Sequence, residues 1–298
     1  MTDNIKTLIG FYSTSTIHDY ITLCKPKIIL MLLITAVVGM HLANPNYLDI
    51  KLFLLATTGI GLAASSAAVF NHIIDAQIDQ KMARTQKRPM ADARISRQNA
   101  LIFAITLCAL SMMTLLIYVN ALTAIITLLG TVGYAFIYTI YLKHSTPQNI
   151  VYGGIAGALP PLLGWTSVTN SIDLEPLLLV LLIFVWTPAH FWPLAIHRIN
   201  DYKKADIPML PVIKGIVYTK RAIVVYATLT LLVSILPFTL GFVSTFYLIT
   251  ALLLGSWFIY FTVKLQQAKS SSLAMPTFYV SIYYLIGIFI ALFIDKLI

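Results

Sequence analysis

Three oxygen-bearing side chains recur at helical spacing around residue 75. Asn71, Asp75 and Asp79 are each separated by four residues. A four-residue step along an α-helix turns the side-chain direction by only about 40°, so the three groups lie on one stripe about 12 Å long. Carboxylate and amide oxygens are the ligands that Mg²⁺ prefers. The spacing therefore predicts a magnesium site at Asn71, Asp75 and Asp79.

Basic side chains follow this stripe directly, at Lys81, Arg84 and Arg88. Such cations repel a bare metal ion but attract a phosphate, so the whole segment is suited to a metal-bound diphosphate. A second interpretation remains open. Acidic residues at the end of a membrane helix can simply offset a neighbouring basic cluster.

A second segment combines acids and bases in a similar way. An apolar run ends at His190–His197 and is followed by Arg198, Asp201 and Asp206. Two such helix ends could enclose a metal-bound diphosphate between them, and the sequence leaves open which of Asn71, Asp201 and Asp206 completes the metal shell. A third, shorter segment ends in Tyr138 and Lys143, and spacing alone leaves open whether this lysine binds phosphate or only lies at the membrane surface.

The composition places all three segments in a membrane protein. Of the 298 residues, 59% are hydrophobic and 10% are charged, whereas soluble proteins carry about 25% charged residues. The mean hydropathy is +0.85. These values exclude a soluble globular domain and a disordered chain, and they predict several membrane-spanning helices.

We predict one integral-membrane domain over residues 1–298, an all-α bundle of nine transmembrane helices around an intramembrane active-site cavity. The predicted helices are 28–43, 52–73, 100–119, 121–142, 150–168, 177–197, 222–242, 246–263 and 276–294. With this topology, all Lys and Arg residues except Lys51 and Lys296 lie on the side of the N-terminus. The positive-inside rule therefore predicts a cytoplasmic N-terminus and cytoplasmic active-site loops.

The motifs in these segments resemble those of the UbiA-type intramembrane prenyltransferases, over about residues 20–295. The first is similar to the family's N-x-x-x-D-x-x-x-D-x-x-M-x-R-T-x-x-R, represented here by Asn71, Asp75, Asp79, Met82, Arg84, Thr85 and Arg88. The third is similar to Y-T-x-x-x-K-R, with Tyr138, Thr139 and Lys143, but His144 stands in place of the arginine. The second resembles the H-F-W…R-x-x-D-Y…I-P-M-L-P pattern of the haem-farnesylating members, except that Asp206 stands where glycine is expected.

The resemblance implies an enzyme that transfers a farnesyl group from farnesyl diphosphate to a vinyl group of haem b, with addition of water. The product would be haem o, which haem–copper terminal oxidases use. The implied cofactor is Mg²⁺, and the implied location is the bacterial inner membrane. Association with oxidase assembly or with a downstream haem-modifying enzyme would be consistent with this role.

The resemblance also assigns roles to individual residues. The implied catalytic residues are Asp75, Asp79, Lys143, Arg198 and Asp201. The implied diphosphate ligands are Asn71, Lys81, Arg84, Arg88, Lys143 and Tyr138. The implied haem-binding residues are His190, His197, Arg198 and Trp192, and the implied metal ligands are Asn71, Asp75, Asp79 and Asp201.

Two other functions remain open. A related prenyltransferase could act on an aromatic or quinone precursor, although the H-F-W…R-x-x-D-Y pattern argues against this. A transporter of a phosphorylated lipid would use the same basic loops without any chemical change.

Overall fold

A computed structural model describes residues 16–45 and 49–298, which are helical and contain no β-strand. The prediction that the N-terminus is cytoplasmic concerns residues 1–15, which lie outside the described ranges. The helices are α1 (Ile17–Leu23), α2 (Pro26–Ala43), α3 (Ile50–Gln80), α4 (Arg97–Tyr118), α5 (Ala121–Val132), a π-helical segment (Gly133–Leu142), α6 (Lys143–Ser145), α7 (Asn149–Ala158), α8 (Pro160–Thr169), α9 (Leu174–His197), α10 (Ile199–Lys204), α11 (Leu210–Ile213), α12 (Gly215–Thr239), α13 (Thr245–Gln267) and α14 (Ala274–Asp295).

The all-helical membrane architecture is confirmed. Within the described ranges, eight helices are long and apolar enough to cross a membrane, counting Ala121–Ser145 as one. The predicted fifth span instead forms α7 and α8, which are separated at Leu159 because Pro160 begins the second helix without a backbone N–H. The count of nine spans therefore remains a prediction.

Two helices extend well beyond their predicted ends. Helix α3 continues to Gln80, seven residues past the predicted end at 73, and α12 begins at Gly215 instead of residue 222. Hydropathy marks the apolar part of a helix, but backbone hydrogen bonds continue into the polar region. As a result Asp75 and Asp79 are helical residues of α3.

Glycines allow α2 and α8 to pack at backbone distance. A Cβ atom on Gly39 would collide with the carbonyl oxygen of Pro161, and one on Gly164 would collide with that of Ala36. Small residues permit such close approach between membrane helices. This contact fixes the α7–α8 segment beside α2 and therefore beside the site described next.

Candidate active site

The two aspartates of α3 are buried although they are charged. Asp75 is 3% exposed and Asp79 is 1% exposed. Burying an ionised carboxylate is costly unless a cation or hydrogen-bond donors lie against it. The partners of each aspartate therefore define the site.

Asp75 is held by a lysine from a different helix. The Nζ atom of Lys143 lies 2.7 Å from Oδ2 of Asp75, and the Nδ2 atom of Asn71 donates to the same oxygen at 2.8 Å. The other oxygen, Oδ1, is sealed from solvent and has no hydrogen-bond partner among the described residues. Asp75 therefore retains one carboxylate oxygen with unused ligand capacity.

Asp79 is paired within its own segment. The Nη1 atom of Arg88 lies 2.9 and 2.8 Å from the two carboxylate oxygens of Asp79. The loop between them is turned back by Thr85, whose hydroxyl donates to the carbonyl oxygen of Asp79 at 2.9 Å. This explains why an arginine nine residues along the chain reaches the end of α3.

Lys25 also reaches this site, although sequence analysis counted it only as a basic residue. Its Nζ atom donates to Oδ1 of Asn71 at 2.7 Å. Lys25 lies between α1 and α2 with a positive φ of 52°. Burial, together with the nearby charge of Arg88, lowers the pKa of Lys25 to about 8. The local signal was weak, because only the following Pro26 marks the position as conformationally restricted.

The π-helical segment brings Lys143 and Thr139 towards α3. Thr139 donates through its hydroxyl to the carbonyl oxygen of Tyr134, five residues back, at 2.8 Å and accepts from Nδ2 of Asn71 at 3.2 Å. The ring of Tyr138 stacks on Tyr134 with centroids 5.6 Å apart. π-Helical turns often occur at functional sites because the extra residue per turn redirects the side chains that follow.

The loop that follows α3 contacts the segment that follows α9. The Nη2 atom of Arg84 lies 3.3 Å from the hydroxyl oxygen of Tyr202, and Met82 is buried in the cluster that includes Tyr202 and Trp192. Lys81 and Asp206 form a longer ion pair of 3.9 Å with both side chains exposed. The first and second segments therefore lie side by side, as the sequence suggests.

The backbone conformation at Asp206 explains both why glycine is expected at this position and why aspartate can replace it. Its φ is 54°, in the left-handed region that glycine adopts without cost and that aspartate tolerates better than most residues. Its side chain is 87% exposed. The structure thus gives Asp206 a backbone role at the turn.

Within the described ranges, the remaining predicted residues of the second segment form no hydrogen bond or ion pair with the buried aspartates. His197 and Arg198 are exposed at the end of α9, and Asp201 is half-buried in α10. Trp192 is 1% exposed and packs edge-on against Tyr226. Within the described ranges, no three His, Cys, Asp or Glu residues converge closely enough to hold a metal ion, so Asp201 does not join Asp75 and Asp79 in one cluster.

An apolar cavity of about 190 Å³ adjoins the polar residues. Lys25 and Tyr134 line it together with small and aliphatic residues such as Ala67, Gly157 and Leu163. Since Lys25 also contacts Asn71, the cavity lies next to the charged end of the site. The arrangement is suited to a ligand with an anionic head and a hydrocarbon chain.

Comparison with known proteins identifies the family. The model of the UbiA prenyltransferase family matches residues 32–292. The chain is 50% identical over 278 residues to protoheme IX farnesyltransferase 2 of Pseudoalteromonas atlantica, covering 93% of this chain and 91% of that one. It is 49% identical over 278 residues to protoheme IX farnesyltransferase of Legionella pneumophila, covering 93% of this chain and 95% of that one.

Solved structures share the fold at low sequence identity. A digeranylgeranylglyceryl phosphate synthase superposes with a TM-score of 0.79 at 19% identity, covering 94% of this chain and 98% of that one. A UbiA homologue from Archaeoglobus fulgidus, bound to GPP and Mg²⁺, superposes with a TM-score of 0.63 at 16% identity, covering 92% and 99%. The chain therefore belongs to the UbiA prenyltransferase family and is an integral-membrane prenyltransferase.

Proposed function

We propose that this enzyme transfers the farnesyl group of farnesyl diphosphate to a vinyl group of haem b, with addition of water, to give haem o. The acceptor is proposed from the relatives at about 50% identity, whose names specify protoheme IX farnesylation. The observation that carries the transfer itself is the buried charged cluster of α3, which lies next to an apolar cavity.

Mg²⁺ fits the residues at the end of α3. Asp75 keeps one buried carboxylate oxygen without a hydrogen-bond partner, and Asp79 lies one helical turn away on the same stripe. We propose that Asp75 and Asp79 hold the ion, with Asn71 beside them, whereas the predicted ligand Asp201 lies outside this cluster. When bound, Mg²⁺ would supply positive charge that stabilises a departing diphosphate.

The cations around the aspartates are placed to bind the diphosphate. Lys25, Arg88 and Lys143 each have a flexible side chain with its charged end at the aspartate cluster. We propose that they exchange their present partners for phosphate oxygens when the substrate binds, joined by Lys81 and Arg84 from the loop and by the hydroxyl of Tyr138. Charge that develops on the leaving group is then met by groups already in place.

The reaction needs no covalent enzyme nucleophile. The bond between C1 of the farnesyl group and oxygen breaks, and the diphosphate leaves with the electron pair. C1 then bonds to the haem vinyl group, water adds to the resulting cation and a proton is lost. Among the predicted haem residues, His190 is half-buried in the bundle, whereas His197 and Arg198 lie exposed at its end, where Arg198 can meet a propionate.

The proposed membrane rests on the bacterial relatives, and the proposed orientation rests on the distribution of charge. We propose that the protein lies in the bacterial inner membrane with the loops after α3 and α9 on the cytoplasmic side, where basic residues are favoured. The product would serve haem–copper oxidases, either directly or through a downstream haem-modifying enzyme.

The test is a product assay on membranes containing the full-length protein, supplied with haem b, farnesyl diphosphate and Mg²⁺. Extracted haems are analysed by mass spectrometry. Asp75→Asn membranes should form no hydroxyethylfarnesyl haem because a metal-binding carboxylate is lost. Asp92→Asn is the matched control, because Asp92 loses the same charge from the adjacent loop while its side chain is 55% exposed.

Three results distinguish the alternatives. The proposal is supported if wild-type and Asp92→Asn membranes form a hydroxyethylfarnesyl haem and Asp75→Asn membranes do not. A farnesyl group found on an aromatic acceptor would refute the haem assignment but retain the transfer. Intact farnesyl diphosphate moved across the membrane, with no chemical change, would indicate a transporter.

A further inference from the structure

His190 is held by residues outside the predicted motifs. Its imidazole stacks on Trp186 with centroids 4.2 Å apart and on Phe278 of α14 with centroids 4.6 Å apart. Its Nδ1 atom lies 2.7 Å from the hydroxyl oxygen of Ser281, also on α14. Ser281 is fully buried, and its carbonyl oxygen accepts a hydrogen bond from Nε1 of Trp186 at 2.9 Å. One serine therefore fixes both the histidine and an aromatic ring stacked on it.

The contacts of Ser281 determine where the histidine carries its proton. The hydroxyl oxygen of Ser281 lies 2.6 Å from the carbonyl oxygen of Phe278. Two oxygens so close repel unless a proton lies between them, so the serine hydroxyl donates its single proton to this carbonyl. The same hydroxyl must then accept from His190. The neutral imidazole therefore carries its proton on Nδ1, which leaves a lone pair on Nε2.

The Nε2 atom has no hydrogen-bond partner among the described residues and, unlike both nitrogens of His72, is not sealed inside the protein. A neutral imidazole with one nitrogen bonded to a fixed acceptor and the other free is the usual form of a histidine that binds a metal.

We infer that Ser281 is a positioning residue that holds His190 in the Nδ1-protonated form, so that Nε2 is presented to the iron of the haem acceptor. This inference rests on the proposed function, because the iron belongs to the substrate. Ser281 would act through His190 and would not itself touch the haem. A fixed axial contact would hold the porphyrin in one orientation and so restrict which vinyl group meets the farnesyl cation.

The experiment is a titration of the purified full-length protein with ferric haem b, followed by absorption and electron paramagnetic resonance spectra. The variants are Ser281→Ala, Ser281→Thr and His190→Ala. Ser234→Ala is the matched control, since Ser234 is also fully buried and donates to a carbonyl three residues back, that of Leu231, at 2.7 Å. It has no histidine among its described hydrogen-bond partners.

We expect wild-type protein to give a spectrum with histidine-bound iron, which His190→Ala abolishes. Ser281→Ala should weaken haem binding by about tenfold or more, the usual effect of removing the hydrogen-bond partner of a metal-binding histidine, and should change the spectrum. Ser281→Thr should restore both, because threonine keeps the hydroxyl. Ser234→Ala should match wild type.

Several outcomes would overturn the inference. An unchanged spectrum and haem affinity in Ser281→Ala would do so, as would a histidine-ligated spectrum that survives in His190→Ala. If wild-type protein farnesylates haem in the product assay but these variants bind it normally, the roles of His190 and Ser281 fail and the proposed function stands. If wild-type protein neither binds nor farnesylates haem, the proposed acceptor fails as well.

Discussion

The ion pair between Lys143 and Asp75 permits a prediction in which a second substitution restores stability but not catalytic activity. Lys143 is 8% exposed and Asp75 is 3% exposed, with 2.7 Å between Nζ and Oδ2. Replacing Lys143 by methionine leaves a buried carboxylate whose remaining partner is Asn71. Breaking a buried pair from one side usually costs about 3–5 kcal/mol. Because the hydrogen bond from Asn71 remains, we expect about 3 kcal/mol for Lys143→Met.

The double variant Asp75→Asn with Lys143→Met should recover part of that loss. Neither residue is then charged, so no unpaired charge is buried, and we expect the double variant to exceed the stability of either single variant by about 2 kcal/mol. Activity should not recover in parallel. Removing one preorganised donor to developing charge commonly lowers the rate about 10²–10³-fold, and the double variant also lacks the carboxylate that we propose as a metal ligand.

The assay is detergent-solubilised unfolding of wild type, both single variants and the double variant, alongside the product assay. The exposed pair of Lys81 and Asp206, 3.9 Å apart, supplies the control cycle, where coupling should be below about 1 kcal/mol. If the losses of Asp75→Asn and Lys143→Met simply add in the double variant, the two residues are not coupled. That result would refute the reasoning that the buried charges depend on each other.

Three further perturbations test other parts of the site. Gly153→Ala should lower turnover about tenfold or more because its methyl group would collide with the ring of Tyr138. Gly133→Ala, at the start of the π-helical segment that carries Tyr138, meets no atom within 4 Å and should retain near-wild-type turnover. Similar rates for both variants would contradict the clash. On the proposed function, Lys25→Met should raise the KM for farnesyl diphosphate about tenfold or more, and Lys25→Arg should raise it less. Lys27→Met, at an exposed position, should leave the KM unchanged. Equal KM values in all variants would remove Lys25 from the proposed substrate site. Chelation of divalent ions with EDTA should abolish product formation, and excess Mg²⁺ should restore it; turnover that persists in EDTA would exclude a dissociable metal requirement.

The fold class could be predicted from the sequence because membrane helices leave a strong local signal. The apolar runs predict an all-helical membrane protein, which the structure confirms. The helical spacing of Asn71, Asp75 and Asp79 also predicts a common face, and the structure places Asn71 against Asp75. Such relationships depend on residues within a few turns of one another.

The partners of these residues depend on packing between distant helices, which local patterns do not report. Lys25 reaches Asn71 across 46 positions of the sequence, and Ser281 reaches His190 across 91. A serine inside an apolar helix has no distinctive neighbours in sequence. The π-helical segment was also not predicted, because its apolar sequence gives no sign of the wider turn that directs Lys143 towards α3.

The charge balance of the buried cluster explains how acids and bases can serve one site. Two carboxylates, of Asp75 and Asp79, lie beside the cations of Lys25, Arg88 and Lys143, which leaves one positive charge in excess. A bare Mg²⁺ ion entering this cluster would add to the excess and meet repulsion at low dielectric constant. A farnesyl diphosphate with its bound Mg²⁺ carries net negative charge and would offset it. On the proposed function, metal and diphosphate are therefore expected to bind together, because each supplies the charge that makes the other's entry favourable.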